Sequence, residues 1–274
     1  MVRCAIRSDP VPGAALSTSD RLLSVLGLFT IERPHWTVEE AASELGLAVS
    51  TGYRYFRSLC DAGLLTSFAN SRYVLGPSII RYDRQLRLLD PLISVAGPVM
   101  KQLTLQLPSP CLLLLCRLYQ DQVMCVHQEY AEKPTFAVSY ERGRPMPLYR
   151  GAASKAILVN LPLRFLRSFH AKHSDEMQRR GFSTDWKQFK ARIRAMRSVM
   201  IQVAQSELDA GMMGIAAPLF EPGGSVEGSI SIVLPVALGT PELIEQASRI
   251  LRSASVQIGT LLAGLAAQEP PAQK

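Results

Sequence analysis

The chain has 274 residues and five cysteines, and its formal net charge at pH 7 is +7. This length suffices for two ordinary domains whose cores need no disulfide or metal, and an odd number of cysteines without paired C-x-x-C spacing argues against a zinc site. The longest apolar runs, such as CLLLLC at 111–116, fall far short of the roughly 18 to 20 residues that span a bilayer. The first twenty residues also lack the apolar core of a secretory signal. We therefore expect a cytoplasmic protein.

The N-terminal part of the chain predicts a helix-turn-helix. The Pro, Gly and Ser content of the first twenty residues is typical of disorder, and residues 1–16 are expected to form a disordered leader. From Ser17, capping residues precede leucines spaced by three or four, which predicts a first helix. The segment TVEEAASELGL opens with a capping box, in which Thr37 and Glu40 satisfy each other's backbone amides. A third helix follows after a short glycine turn, with Ser50 as its expected cap.

The third predicted helix sorts its side chains onto two faces. At roughly 100° per residue, hydroxyls and two arginines share one arc and apolar residues share the opposite arc. The outward arc contains Ser50, Thr51, Tyr53, Arg54 and Arg57. Arginine forks are the commonest readers of guanine edges, so we expect Arg54 and Arg57 to read bases. The three hydroxyl residues are the candidate contacts to the DNA backbone.

A hairpin and a further helix complete this region. The run LLTSFANSRYVLG predicts two strands that turn near Asn70, so residues 17–76 are expected to form a winged helix-turn-helix domain. Arg72 in the wing is a further candidate for contact with a minor groove or a phosphate. Residues 77–90 have apolar side chains spaced by three or four, which is typical of a helix that packs on another helix. We expect this segment to be a linker or dimerisation helix.

Residues 91–264 have a different pattern. After a helix come the β-like runs CLLLLCRLY, QVMCVHQEYA and FAVSYER, then a loop, a helix of small residues and a basic helical stretch. The runs VMIQVA, GMMGIAAPLF and SISIVLP predict further strands, and EPGG at 221–224 predicts a hairpin turn. A long amphipathic helix from Pro241 follows, and residues 265–274 are expected to form a disordered tail. This order favours an α+β domain built on one antiparallel sheet with flanking helices.

The positive charge is concentrated in one stretch. Residues 1–90 carry ten arginines, no lysine and nine acidic residues, a net charge of +1, whereas residues 164–197 carry ten basic residues and three acidic ones. A pair of solvated helical faces is the simplest interpretation of the basic stretch. A second contact with DNA or with an acidic partner is the alternative. The near-neutral N-terminal region predicts modest nonspecific affinity for DNA and reliance on dimeric binding.

Two other groups contain residue types that are used in catalysis and metal binding. Cys125 and His127 suggest a nucleophile and a base, but in a strand both are more simply packed in a core. His170 and His173 lie three residues apart on a predicted helix, a spacing that is common on solvated surfaces when further ligands are lacking. The sequence also lacks a phosphate loop and a nucleophile elbow. We therefore expect no enzymatic activity, no metal and no other cofactor.

Four motifs in order along the chain resemble those of the isocitrate lyase regulator (IclR) family of bacterial transcription factors. The first is the helix pair TVEEAASELGLAVSTGYRYFRSLCDAGLL, and the second is SRYVLG with its Tyr-x-Leu-Gly. The third is GRPMPLYRGAASKA, which contains G-x-x-x-P-L followed by A-x-K-A, and the fourth is SELDAGMMGIAAPLF. The resemblance covers residues 18–264.

The resemblance implies a winged helix that binds operator DNA and a C-terminal domain, similar to the GAF sensor fold, that binds a small organic effector. It further implies a dimer or a dimer of dimers that controls an operon for carbon-source use. The expected partners are thus double-stranded operator DNA, a small effector and further copies of the chain. The main alternative is a metabolite-sensing module whose winged helix binds protein, and an enzyme built on the second domain is another.

The same resemblance assigns an effector site by position. It places Ala152 and Ala153 in the loop before A-x-K-A, and Gly214, Ser231 and Val233 on the facing strands. Relatives that bind small hydrophilic acids have four polar side chains at the positions of Ala204, Gly214, Ser231 and Val233. A pocket with one hydroxyl and apolar walls favours a larger, mainly apolar ligand, such as an aromatic acid, because an unmatched buried polar group is costly.

Three further residues bear on this site. Tyr149 replaces the family's usual His after Pro-Leu, and Ser154 replaces the Gly before the Lys of A-x-K-A. Both changes are expected to reshape the loop and its amide contacts. Glu207 is either a turn carboxylate bonded to local amides or a ligand contact.

Overall fold

The computed structural model describes residues 17–133, 136 and 138–268. The predicted leader and residues 269–274 of the predicted tail lie outside this part of the chain. The described residues divide into two compact units, one ending at Leu89 and the other beginning at Asp90. Helices dominate the first unit, and one large sheet organises the second.

The first unit has the winged-helix order of elements that the sequence predicts. Its elements are α1 (Thr18–Ser24), α2 (Val38–Glu44), α3 (Val49–Asp61), β1 (Leu65–Phe68), β2 (Arg72–Leu75) and α4 (Ser78–Leu89). The predicted capping box of Thr37 and Glu40 is present at the start of α2, because each residue's side chain accepts the other's backbone amide. A second capping box, between Ser17 and Asp20, begins α1.

The core of the first unit lies where α2, α3 and the hairpin meet. Its buried members include Val38, Phe56 and Leu59. Trp36 ties the segment before α2 to the wing, since it exchanges two backbone hydrogen bonds, of 3.2 and 2.8 Å, with Tyr73. This packing orients α3 so that one of its faces is buried and the other is exposed.

The predicted cap of α3 is wrong. The helix begins at Val49, with Ala48 at its N-cap position and no side-chain capping bond, so Ser50 is the second helical residue. The turn after α2 explains the difference. Gly46 adopts a φ of +62°, and the amide of Leu47 donates back to the carbonyl of Ala42 at 2.8 Å. This compact turn starts the next helix earlier than the hydroxyl pattern suggests.

The described residues of the second unit form six strands and five α-helices. They are α5 (Pro91–Leu103), β3 (Leu112–Tyr119), β4 (Gln122–Glu129), β5 (Pro145–Pro147), α6 (Ala152–Leu158), α7 (Leu163–Arg179), α8 (Trp186–Arg197), β6 (Gln202–Gln205), β7 (Met212–Phe220), β8 (Val226–Pro235) and α9 (Pro241–Gln268). The strands form one antiparallel sheet in the order β5-β4-β3-β8-β7-β6. The predicted α+β class is therefore confirmed.

The sheet separates two layers of helices. Because successive strand residues point to opposite faces, Ile230 and Ile232 pack with α5 and α9, whereas Val233 packs on the side of α6, α7 and α8. Small side chains bring α6 close to the sheet: a Cβ at Gly214 would lie only 3.2 Å from the Cβ of Ala152. The predicted effector residues therefore lie on the α6 side of the sheet.

Helix α9 is long and apolar enough to cross a bilayer by length and composition. Its buried stripe of Ala247, Leu251, Ala254 and Ile258 has helical spacing and packs in the core between the sheet and α5. One face of α9 therefore packs in the core, and the rest of the helix is exposed in this structure, as in an amphipathic helix. The predicted disordered tail is wrong at residues 265–268, because they continue this helix.

The predicted strand FAVSYER is also wrong. Its described residues, 136 and 138–142, contain no strand, only an isolated bridge between Arg142 and Cys125. The edge of the sheet is formed instead by β5, which lies in a predicted loop and pairs with β4. Prolines disfavour strands but are tolerated at an edge, where no further neighbour needs their missing N–H. Hydrogen bonds from outside the FAVSYER segment hold it in place. The Gln128 side chain donates to the Tyr140 carbonyl at 2.8 Å, and Asp209 accepts from the Ser139 amide at 2.9 Å.

Candidate functional site

The predicted DNA-contacting face of α3 lies on the surface of the first unit. Its side chains are exposed at Ser50, Tyr53, Arg54 and Arg57 and half-buried at Thr51. Arg72 is exposed at the start of β2. On the opposite side of α3, the aromatic and leucine side chains are buried in the winged-helix core. The face is therefore accessible to a partner, and its role in DNA binding stays a prediction.

Tyr53 has an intramolecular partner that sequence reasoning missed. Its hydroxyl donates to the carboxylate of Glu39 on α2 at 2.6 Å. This bond lowers the pKa of Glu39 and raises the pKa of Tyr53. It joins α2 to α3 at the exposed face. Tyr53 therefore positions the two helices relative to each other, besides being a candidate contact to DNA.

The five residues predicted for effector binding surround one cavity of the second unit. Ala152 and Ala153 line it from α6, Gly214 from β7, and Ser231 and Val233 from β8. The segment 206–212 forms a further wall, which includes Leu208 and Met212. The cavity volume is about 40 Å³, whereas an apolar cavity that admits benzene measures about 150 Å³. The pocket is therefore too small for an aromatic ring in this conformation.

One wall of the cavity carries a buried hydroxyl without a partner. Ser231 is 1% exposed, and within the described part of the chain its Oγ makes no hydrogen bond. Ser229, two residues earlier on the same face of β8, donates to the Ala153 carbonyl at 2.9 Å. A buried hydroxyl that lacks a partner costs about 1 to 3 kcal/mol. Ser231 is therefore available to a polar atom of a ligand.

Tyr140 contributes another polar atom to the cavity wall. Its Oη lies 2.5 Å from the Ser154 Oγ and accepts the Ser154 amide at 3.3 Å. Burial raises the pKa of Tyr140 well above its usual range, so the phenol stays neutral. Ser154, at the position where the resemblance leads us to expect Gly, thus fixes this ring. Tyr149 packs instead against Phe182 in the core, and burial beside Glu176 raises its pKa to about 12.

Glu207 joins the segment 206–212 to α6. Its carboxylate accepts the Gly151 amide at 3.0 Å and pairs with the ammonium of Lys155. One of the two predicted roles was a bond to amides of its own turn. The partners of Glu207 among the described residues lie on or before α6 instead. Glu207 does line the cavity, as the other predicted role requires. The signal that points to this pair is Lys155 itself. A lysine within a buried helix of small residues needs a nearby anion.

The residues considered for catalysis or metal binding have other partners. The Cys125 thiol donates to the backbone carbonyl of His127, at 3.3 Å, and not to its imidazole. His173 lies 2.7 Å from Asp121, whereas His170 packs against two aromatic rings of α8. Neither pair of side chains converges on a common point. That the protein has no enzymatic activity stays a prediction.

Comparison with protein families covers both units. The model described as the IclR helix-turn-helix domain matches residues 18–67, and the one described as bacterial transcriptional regulator IclR C-terminal matches residues 89–260. The HTH-type transcriptional regulator KipR of Bacillus subtilis (strain 168) is 25% identical to this chain over 237 residues, which cover 86% of this chain and 93% of KipR.

Solved structures share the fold. An IclR family transcriptional regulator from Brucella abortus superposes with a TM-score of 0.73 at 20% identity, covering 93% of this chain and 97% of that one. An IclR homolog from Microbacterium hydrocarbonoxydans, complexed with 4-hydroxybenzoate, superposes with a TM-score of 0.69 at 20% identity, covering 90% and 100%. Matches to both domain models, in the expected order and over most of the chain, establish the family. This protein belongs to the IclR family of bacterial transcriptional regulators, with an N-terminal helix-turn-helix domain and a C-terminal IclR domain.

Proposed function

We propose that this regulator binds operator DNA through the exposed face of α3, and that a small, mainly apolar organic effector in the cavity beside α6 modulates this binding. The proposed DNA contact rests on the two faces of α3. Arg54 and Arg57 are exposed on one side, while the other side is buried in the winged-helix core. Ser50, Thr51, Tyr53 and Arg72 are the proposed contacts to phosphates or to a flanking groove.

Substitution of the two arginines tests the DNA contact. Each bidentate contact to guanine contributes about 1 to 3 kcal/mol of discrimination, so Arg54→Ala with Arg57→Ala should remove most of the preference for the duplex upstream of the protein's own gene over a scrambled duplex. Fluorescence anisotropy of the full chain measures both affinities. Arg249→Ala with Arg252→Ala, on the exposed side of α9, is the control with the same change of charge. An unchanged preference in the α3 variant would favour a winged helix that binds protein.

The proposed class of effector follows from the walls of the cavity. Leu208, Met212 and Val233 are apolar, and the Ser231 hydroxyl is available for one hydrogen bond. The structural relative that binds 4-hydroxybenzoate supports an aromatic acid. Because the described cavity of about 40 Å³ is smaller than an aromatic ring requires, binding must displace part of the segment 206–212. Methionine suits this displacement, since its side chain has three rotatable bonds.

A thermal-shift screen tests the effector class. A ligand at a hundredfold excess over its Kd adds about 2.7 kcal/mol to the free energy of unfolding. Each 1 kcal/mol raises Tm by about 2 to 4 °C in a protein of this size class. We expect aromatic acids to produce such shifts. Stabilisation by glyoxylate-like acids together with no response to any aromatic compound would refute the proposed class.

We further propose that the protein acts in the cytoplasm as a homodimer or a dimer of dimers and controls a catabolic operon. Residues 17–76 would bind DNA, residues 77–90 would link or dimerise, and residues 91–264 would bind the effector. Helix α4 supports the second assignment, since it exposes Ile80, Leu86 and Leu89, as expected of a helix that packs on a partner. Sedimentation of a Leu86→Glu variant tests this role, which predicts weaker self-association than in the unaltered chain.

A further inference from the structure

The hairpin of α7 and α8 carries charge that the proposed function leaves unexplained. Residues 164–197 have a net charge of +7, equal to that of the whole chain. Some of its cations have structural partners: Arg192 donates to the Phe182 carbonyl, Arg197 to the Val159 carbonyl, and Lys172 pairs with Asp121. These three stabilise the hairpin and its packing on the unit.

Other cations of the hairpin are exposed and share one surface. They are Arg164, Arg167, Lys187, Lys190 and Arg194. Within the described residues, none of the five forms an ion pair with a carboxylate. The three on α8 fall within an arc of about 60° at helical spacing. Arg167 of α7 and Lys190 of α8 lie 6.0 and 5.5 Å from the ring of Trp186, so the two helices present their cations side by side.

The chemistry of this surface fits a polyanion better than a folded protein or a lipid bilayer. Protein interfaces are built around a buried apolar core from which Lys is depleted, and helices that lie in a membrane surface insert apolar side chains. Within α7, α8 and the segment that joins them, which the structure describes throughout, Leu163 at the first position of α7 is the only large apolar side chain that is exposed. Duplex DNA instead presents a phosphate about every 1.7 Å of its axis and releases counterions to such a surface.

We propose that the α7–α8 hairpin is a second DNA contact, which binds duplex phosphates without reading bases. The inference rests on the proposed function, because it presumes that the regulator binds DNA. The hairpin also supplies positive charge that the N-terminal region lacks, since residues 1–90 have a net charge of only +1. In this proposal α3 determines which base sequence is preferred, and the phosphate contacts of the hairpin cause much of the salt dependence of DNA affinity.

Two triple variants of the full chain test this division of roles. Arg167→Gln with Lys190→Gln and Arg194→Gln removes three cations from the hairpin. Lys101→Gln with Arg249→Gln and Arg252→Gln removes three exposed cations from α5 and α9 of the same unit, so both variants lose the same charge. Exposed substitutions of this kind change stability by about 0.5 kcal/mol or less, and thermal unfolding verifies that both variants are folded.

The measurement is the salt dependence of DNA affinity, by anisotropy, on the duplex upstream of the protein's own gene and on a scrambled duplex. Each lost phosphate contact lowers the magnitude of the log–log slope by about 0.9. We expect the hairpin variant to lose about 2 to 3 from the slope on both duplexes, with an unchanged preference between them, and the control variant to keep the wild-type slope. Equal slopes in the two triple variants would overturn the proposal.

The outcomes separate this inference from the proposed function. If the wild-type chain shows no preference for the upstream duplex, the proposed function fails, whatever the slopes. Polyglutamate and phosphatidylserine vesicles serve as further probes with the same variants. Should the hairpin variant lose affinity for either of these while its DNA slope stays at the wild-type value, the surface binds an acidic protein or a membrane, and the DNA proposal is wrong.

Discussion

Replacing Ser231 with Ala should have opposite effects on the free protein and on its complex with an effector. In the free protein, the Ser231 hydroxyl is buried beside the cavity and has no partner among the described residues. Alanine removes this group and keeps the shape of the strand. A hydroxyl that is buried without a partner costs about 1 to 3 kcal/mol, so the variant should be more stable than the wild type by about 1 kcal/mol.

The matched control is Ser229→Ala on the same strand and the same face of the sheet. Ser229 is completely buried, and its hydroxyl donates to the Ala153 carbonyl at 2.9 Å. Its removal leaves a buried carbonyl without this donor and should lower stability by about 1 kcal/mol. In a thermal scan, 1 kcal/mol corresponds to about 2 to 4 °C. The two serine variants should therefore differ in Tm, with the wild type between them.

The same scans with a saturating aromatic acid complete the test. A neutral hydrogen bond contributes about 0.5 to 1.5 kcal/mol, so Ser231→Ala should weaken effector binding by about 2- to 12-fold, whereas Ser229→Ala should leave it close to that of the wild type. The reasoning is refuted if Ser231→Ala destabilises the free protein as much as Ser229→Ala does, or if it leaves effector affinity unchanged.

Three further substitutions test contacts elsewhere in the fold. Glu207→Gln keeps an acceptor for the Gly151 amide but leaves the buried Lys155 ammonium without its counter-charge, so urea unfolding should show a loss of about 1.5 to 3 kcal/mol. Thr37→Ala removes a capping box and should cost about 1 kcal/mol, while Ser50→Ala, at a position that caps nothing, should change stability by less than about 0.5 kcal/mol. Burial alone would raise the pKa of Asp121, but hydrogen bonds and electrostatic interactions with Lys172 and His173 lower it on balance. Its contribution to stability is therefore present above the unfolded pKa and lost as pH falls through the lower folded pKa, so Asp121→Asn should flatten the acid limb of the stability profile.

The parts of the fold that follow from local rules could be predicted from the sequence. The capping box at Thr37 and the two faces of α3 depend on residues within a few positions of each other, so spacing alone indicates them. The placement of Gly214, Ser231 and Val233 on facing strands came instead from the resemblance to the IclR family, position by position. The structure brings these three and the two alanines of α6 around a single cavity.

The parts that depend on distant contacts were missed. The partner of Glu207 is an amide 56 residues away, and the partner of Tyr53 lies on another helix; no local pattern relates either pair. The edge strand β5 was mistaken for a loop because Pro145 and Pro147 disfavour strands everywhere except at an edge. The size of the cavity depends on how Leu208 and Met212 pack, which the sequence leaves open.

The most direct test of DNA recognition by α3 is a photo-crosslink from a single site. A photoreactive amino acid at position 57, on the exposed face of α3, should crosslink to the duplex upstream of the protein's own gene in the presence of excess scrambled competitor. The same amino acid at position 252, on the exposed side of α9, is the matched control and should not. Efficient crosslinking from position 252 with none from position 57 would contradict the proposal that the arginine-bearing face of α3 enters the groove.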